Sequence, residues 1–246
     1  EIQSDLATTS ALSTLSDTIA SNDEKCLELQ NDFHKYSHFW TTDLTSYFKD
    51  FCKDATISTE HGSNLLDLTK FENAIQQCID AQTEVAKAKS PVDIGWLRID
   101  VTPAKRQVSI FATKWINMYT SHMRESITTT LTDLHNFMQS VTDGLKREIT
   151  EDCDESNDEL MAVMTVIRDV RKKMESVPEL FAPQKDCVQI LRRYGVDVLN
   201  DEVAGKKLQD FLEEIPLAWD AVVKKTFRKK EDILPMQMAA VDSLKN

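Results

Sequence analysis

"TPAKRQVSIFATKWINMYTSHMRESITTTLTDLHNFMQSVTDGLKREI", residues 102–149, carries apolar side chains three or four positions apart for most of its length. Val108, Phe111, Trp115 and Met118 open the series; Ile127, Leu131, Leu134, Met138, Val141, Leu145 and Ile149 continue it. That spacing is the mark of a helix with one buried face. Thr102 before Pro103 predicts its start, a capping hydroxyl followed by a proline at the first helical position. Running to about Ile149, the helix is roughly 70 Å long at 1.5 Å per residue. That is more than the diameter of a compact globule of 246 residues, so an elongated shape is expected. Gly144 in "TDGLK" marks a kink or an early end, at a cost of about 1 kcal/mol relative to Ala.

The same period extends outward in both directions. Leu29, Phe33, Tyr36, Trp40, Leu44, Tyr47 and Phe51 form one run, and Leu68, Phe71, Ile75, Cys78, Gln82 and Val85 a second. Beyond the long helix come Leu160, Val163, Ile167, Val170 and Met174, then Leu180, Gln184, Cys187, Leu191 and Tyr194. Gly195 is placed to end a helix in the left-handed conformation, and Pro178 and Pro216 mark helix starts or breaks. The expected fold is all-α: elongated antiparallel helical bundles with loops near 55–64, 89–102, 151–158 and 195–207. A boundary is expected at Pro91, between a helical bundle over 1–90 and a long-helix bundle over 91–246.

One segment breaks the pattern. In "KSPVDIGWLRID", residues 89–100, apolar residues alternate. Val92, Ile94 and Trp96 would share one side of an extended strand. Gly95 allows a bend, and Pro91 and Pro103 keep helices out. A short extended crossing near 91–101 is expected, pinned by a buried Trp96 whose truncation costs ~3–5 kcal/mol. A plain interhelical loop with a core-packed tryptophan is the simpler alternative. Trp96, Trp115 and Trp219 are the expected packing anchors, Trp219 lying just past a helix start at Pro216.

Composition narrows the function classes. Hydrophobic residues make up 41% and charged residues 28%, which suits a packed core, and five glycines and six prolines are too few for a loop-rich β domain. No apolar run reaches the ~18–20 residues of a membrane span. The net charge of −12 weighs against nucleic acid or an anionic membrane as partner. Cys26, Cys52, Cys78, Cys153 and Cys187 form no CxxC pair, and reduced thiols in the cytosol are expected. The chain begins without Met or a signal peptide and is expected to be a fragment or a processed product.

Site-like features are few. The acidic stretch 148–160, "EITEDCDESNDEL", lacks the glycine and the final glutamate of a calcium loop, and Glu151-Asp152-Cys153-Asp154-Glu155 does not match DDxxD. His34 and His38, four apart, have no third metal ligand. Two basic clusters stand out, "RDVRKK" at 168–173 and "KKTFRKK" at 224–230. Lys224, Lys225, Arg228, Lys229 and Lys230 are the expected contact surface for an acidic partner or an acidic stretch of the same chain, against the plainer reading of a solvated face. The one Gly-Lys pair, Gly205-Lys206, is preceded by Asn200 five residues before the glycine and followed by Lys207, so it is not the GxxxxGK[ST] loop that wraps phosphates. GxGxxG and GxSxG are also absent from the sequence. No catalytic, cofactor-binding or metal-binding residue is expected.

Residues 91–123, "PVDIGWLRIDVTPAKRQVSIFATKWINMYTSHM", resemble the tail of axonemal dynein heavy chains ahead of the motor's linker. The likeness continues in "LHNFMQSVTDGL" (134–145), in "ELMAVMTVIRDVRKKMESVPELFAPQKDCVQILRRYGVDV" (159–198) and in "LEEIPLAWDAVVKKTFRKKEDILPMQMAAVDSLK" (212–245). It leans toward the outer-arm type. The resemblance implies a strut of helical bundles that carries the motor and anchors it to a ciliary doublet microtubule. It implies other heavy chains, intermediate and light chains and docking proteins as partners, in cytoplasm, cytoskeleton and axoneme. ATP and Mg are expected only in the downstream motor. A spectrin-like scaffold without a motor is the alternative; an all-α metal-dependent lyase or synthase would need a second carboxylate motif, and none is apparent.

Overall fold

The computed structural model describes residues 2–59, 62, 64–147 and 155–243. Eight helices and three short antiparallel strand pairs are assigned among them. They follow in the order α1 (Ile2–His34), α2 (His38–Thr41), α3 (Leu44–Asp54), β1 (Thr56–Ser58), β2 (Asn64–Leu66), α4 (Leu68–Lys87), β3 (Val92–Ile94) and β4 (Leu97–Ile99). Then come α5 (Thr102–Leu145), α6 (Glu155–Lys173), α7 (Ser176–Arg193), β5 (Glu202–Val203), β6 (Lys206–Lys207) and α8 (Leu208–Ser243). The fold is all-α, as the periodicity predicts, and the hairpins occupy three of the expected loops. Among the described residues no helix is long and apolar enough to cross a membrane.

The chain divides into two compact units, Glu1–Ala55 with Thr69–Tyr119, and Thr56–Leu68 with Thr120–Asn246. The boundary expected at Pro91 falls inside the first unit. The reason is a shared core: Phe71 and Ile75 of α4 and Trp115 and Tyr119 of α5 are all buried there, on either side of the β3–β4 hairpin.

In the first unit the core is aromatic. Phe51 of α3 meets Phe71 and Tyr119 edge-on, each at 5.1 Å between ring centroids, and Tyr47 lies 5.0 Å from Trp115. Edge-to-face and tilted pairs are the favoured ring geometries. The apolar run from Leu29 to Phe51 is not one helix. Turns at Lys35–Ser37 and Thr42–Asp43 divide it, and the Asp43 carboxylate accepts the Ser46 N–H at 3.2 Å as the cap of α3. Those two bonds from Ser46, side chain and backbone, hold the Asp43 carboxyl below the usual range.

The extended segment expected near 91–101 is present and takes the form of a hairpin. Val92 pairs with Ile99, Asp93 with Arg98 and Ile94 with Leu97, leaving Gly95-Trp96 as the two-residue turn. Gly95 has φ +59°, as a primed turn with glycine first requires. A Cβ there would lie 2.4 Å from Asn22 Oδ1, so α1 and the hairpin touch at a point that only glycine fits. The turn aims Trp96 outward: it is 57% exposed and is not a packing anchor, while Ile94 is buried. At the entry to α5 the capping falls to Asp100 rather than to Thr102. Its Oδ1 accepts the Thr102 N–H at 2.9 Å and the Ser90 hydroxyl at 2.8 Å; the Thr102 side chain first, then the Thr102 N–H and the Ser90 hydroxyl, hold its carboxyl below the usual range.

In the second unit α6 packs on α7 and α8. Gly144 of α5 lies against Val166 of α6, and Phe137 lies under Lys173. Rising numbers on α5 therefore meet falling numbers on α6. Along α8 the order agrees with α5: His135 meets Phe211, Phe137 meets Trp219, and the Arg147 carbonyl meets Lys229. Hence α6 and α8 are antiparallel, with Leu160, Val163, Ile167 and Ile233 buried between them. The described part of α5 ends at Leu145, one residue past Gly144; Ile149 lies outside the described residues.

Proline and glycine punctuation is mostly as the sequence predicts. After α7 the Gly195 N–H bonds the Arg192 carbonyl at 3.0 Å and the Val196 N–H bonds the Leu191 carbonyl at 2.9 Å, with Gly195 at φ +79°. This is the Schellman closure. Pro178 sits in the first turn of α7, but Pro216 is inside α8 and does not start it. The helix starts at Leu208, directly after β6, and burial of Phe211, Leu212, Ile215 and Trp219 along one face carries it past the bond that Pro216 cannot make.

Candidate functional site

The side chains of α6 sort onto two faces. Leu160, Val163, Ile167 and Val170 are buried, while Met161, Met164, Arg168, Arg171 and Lys172 stay exposed. On α8, Val222, Thr226 and Ile233 are buried, and Phe227, Lys230, Leu234 and Met238 are exposed. Because the two helices are antiparallel, their exposed stripes border one groove of about 520 Å³. Met164, Ile167, Arg168, Arg171 and Lys172 line it from α6, and Lys230 and Gln237 from α8. Every charged residue in that lining is a cation, in a chain with 41 acids against 29 lysines and arginines.

The basic cluster 168–173 and the last residue of the cluster 224–230, read separately from the sequence, thus meet at one place. Of the residues expected as a contact surface, Lys230 lines the groove, and Lys224, Lys225 and Arg228 are exposed along α8. Lys229 is turned inward, and its Nζ donates to the Arg147 carbonyl at 2.9 Å beyond the end of α5. Arg168 reaches its neighbour Asp169 at 3.5 Å, and Lys173 lies 4.1 Å over the Phe137 ring. Cations in the last turn of α6 also suit the helix dipole. That does not account for Lys230, or for the methionines beside it. The methionine share of the groove had no separate sequence signal, because nothing in the chain announces that Met164 of α6 and Gln237 of α8 line one groove.

The other expected site residues lie apart. Trp115 is buried, and its Nε1 donates to the Phe39 carbonyl at 3.3 Å; Trp219 is buried 6.3 Å from the Phe137 ring. His34 closes α1 and His38 opens α2, both exposed, with a turn between them. The His38 Nδ1 is 3.3 Å from the Lys35 carbonyl and its ring rests on Phe39 at 4.1 Å. Among the described residues no cluster of three or more His, Cys, Asp and Glu side chains could hold a metal. Most of the acidic stretch 148–160, with Cys153, lies outside the described residues.

Burial raises the thiol of Cys78 to about 11 and that of Cys187 to about 12, so neither is a nucleophile at neutral pH. A surface cluster, Lys35 donating to Glu84 at 2.6 Å and Tyr36 donating to the other oxygen at 2.8 Å, joins the turn after α1 to α4. The hydrogen bond from Lys35, then that from Tyr36, lowers the Glu84 carboxyl below its ordinary value. Both members of the ion pair are about half exposed, and such pairs contribute little.

No protein-family model matches the chain. Curated proteins do. The chain is 24% identical over 97% of its length to the flagellar outer arm dynein beta chain of Chlamydomonas reinhardtii. It is 26% identical over 89% to dynein axonemal heavy chain 17 of Homo sapiens, and 22% identical over 87% to the ciliary dynein beta chain of Tripneustes gratilla. It spans only 5 to 6% of the length of these relatives.

Proposed function

As a homologue of one stretch of the axonemal dynein heavy chains, this chain, we propose, is a non-catalytic segment of an outer-arm heavy-chain tail. It acts as a structural strut and assembly platform between the ATP-driven motor and its axonemal anchor. One observation carries the reading: the match runs through nearly the whole chain against heavy chains named for the flagellar outer arm, the axoneme and the cilium. The structure is compatible with it. Large side chains such as Phe71, Leu131, Leu191 and Ile215 are spent on helix packing. Other heavy chains, intermediate and light chains and docking proteins of the doublet are the partners, and ATP and Mg belong to the motor elsewhere in the heavy chain.

Titrating the purified chain with MgATP in a calorimeter, alongside a phosphate-release assay, tests this. No saturable heat and no phosphate release are expected. Stoichiometric binding or turnover overturns the non-catalytic role.

A further inference from the structure

The α6–α8 groove is divided along its length. On α6 the exposed stripe runs from Met161 and Met164 to Arg168, Arg171 and Lys172. On α8 it runs the other way, from the 224–230 cations to Leu234 and Met238. Antiparallel packing superposes like on like, giving a methionine-rich end and a cationic end. Met164 lines the groove, and Met161, Leu234 and Met238, at 61%, 50% and 62% exposure, lie outside that lining on the exposed stripes beside it, which is much apolar surface to leave in water. Methionine packs adaptably against apolar partners, and two helices side by side offer a third a seat with anchors three and four residues apart.

We propose that this groove docks an acidic amphipathic helix of a partner protein. The partner's apolar stripe lies on Met161, Met164, Leu234 and Met238, and its carboxylates meet Arg168, Arg171, Lys172 and Lys230. Charge complementarity selects this occupant. The lining is wholly cationic among its charged members, and Arg171, Lys172 and Lys230 form no ion pair with a described residue. A second copy of this chain, at net charge −12, brings general repulsion rather than a matched face. Nucleic acid meets the same repulsion and gains nothing from the methionines. The proposal deepens the assembly-platform reading by naming what the platform holds.

The test uses the 246-residue chain and a fluorescein-labelled synthetic helix of about 21 residues, leucine at heptad a and d positions and glutamate at most others. Anisotropy should show saturable binding that weakens as salt rises. A version with lysine for glutamate, and a glutamate peptide without leucine, should each bind at least about tenfold more weakly. The triple variant R168E/R171E/K230E should lose binding about tenfold or more, and M164S/M238S several-fold, with far-UV circular dichroism unchanged. Equal binding by either variant overturns the proposal, as does equal binding of the leucine-free peptide, preference for a short DNA duplex, or self-association that buries Met164 and Met238. If the peptide fails while MgATP gives no heat, the groove proposal falls and the non-catalytic tail reading stands.

Discussion

Replacing Trp115 by alanine should unfold the first unit far more readily than replacing Trp96. Trp115 is 5% exposed, contacts Phe39, Tyr47 and Tyr119 and donates its indole N–H to the Phe39 carbonyl. Truncating a buried tryptophan costs ~3–5 kcal/mol through lost burial and the cavity left behind. The orphaned carbonyl adds to that, so about 4 kcal/mol is a working figure for W115A. Against an urea slope of about 2 kcal/mol per molar, the midpoint of the first unit's transition should fall by about 2 M. Trp96, at 57% exposure on a hairpin turn, should change it by no more than about 0.5 kcal/mol. Trp115→Phe keeps most of the packing and should lose about 1 kcal/mol, largely the hydrogen bond. Far-UV circular dichroism in urea is the assay, because both variants alter fluorescence. If W96A and W115A shift the midpoint equally, the placement of the first unit's core is wrong.

Gly95→Ala should destabilise the first unit by about 2–3 kcal/mol in the same assay, from left-handed strain and the contact with Asn22. Gly195→Ala, at φ +79° with nothing within 4 Å, should lose about 1 kcal/mol. Gly144→Ala gains helix propensity, but its Cβ would lie 2.8 Å from the stiff Val166 Cγ2. A net loss of about 1 kcal/mol is expected, and a double-mutant cycle with Val166→Ala should show coupling; strict additivity would refute the contact. Burial lowers the His122 pKa from its ordinary 6.5, outweighing the raising effect of Glu125. The folded state thus holds the neutral ring. Its contribution is full above pH ~6.5 and drains away as pH falls from there through the lower folded value. Urea stability between pH 7.5 and 5.5 should therefore decline, and decline less in His122→Gln; parallel slopes would exclude the effect.

The long helices from α4 onward were legible because each buries one stripe, and period alone reveals a stripe; α1, exposed along nearly all its described length, offered none before Leu29. Gly195 was legible because a helix end needs a left-handed residue. The hairpins were not, since strands of two or three residues are too short to establish a period. At 91–101 the alternation was real, but Gly95 turns the chain back, and a reading as one strand put Trp96 inside instead of on the turn. A Gly-first two-residue turn between Asp93 and Arg98, which pair across the strands at 3.2 Å, was the available signal. The groove lay beyond the sequence for a different reason. Its halves are about 60 residues apart, and only the antiparallel seating of α6 on α8 joins Arg168 and Arg171 to Lys230.

The most direct measurement bearing on the tail assignment is made in the full-length heavy chain, deleting this segment and imaging axonemes by electron tomography. Outer arms should be missing from the doublets while the motor's ATPase activity persists. Normally spaced arms on those doublets would contradict the account.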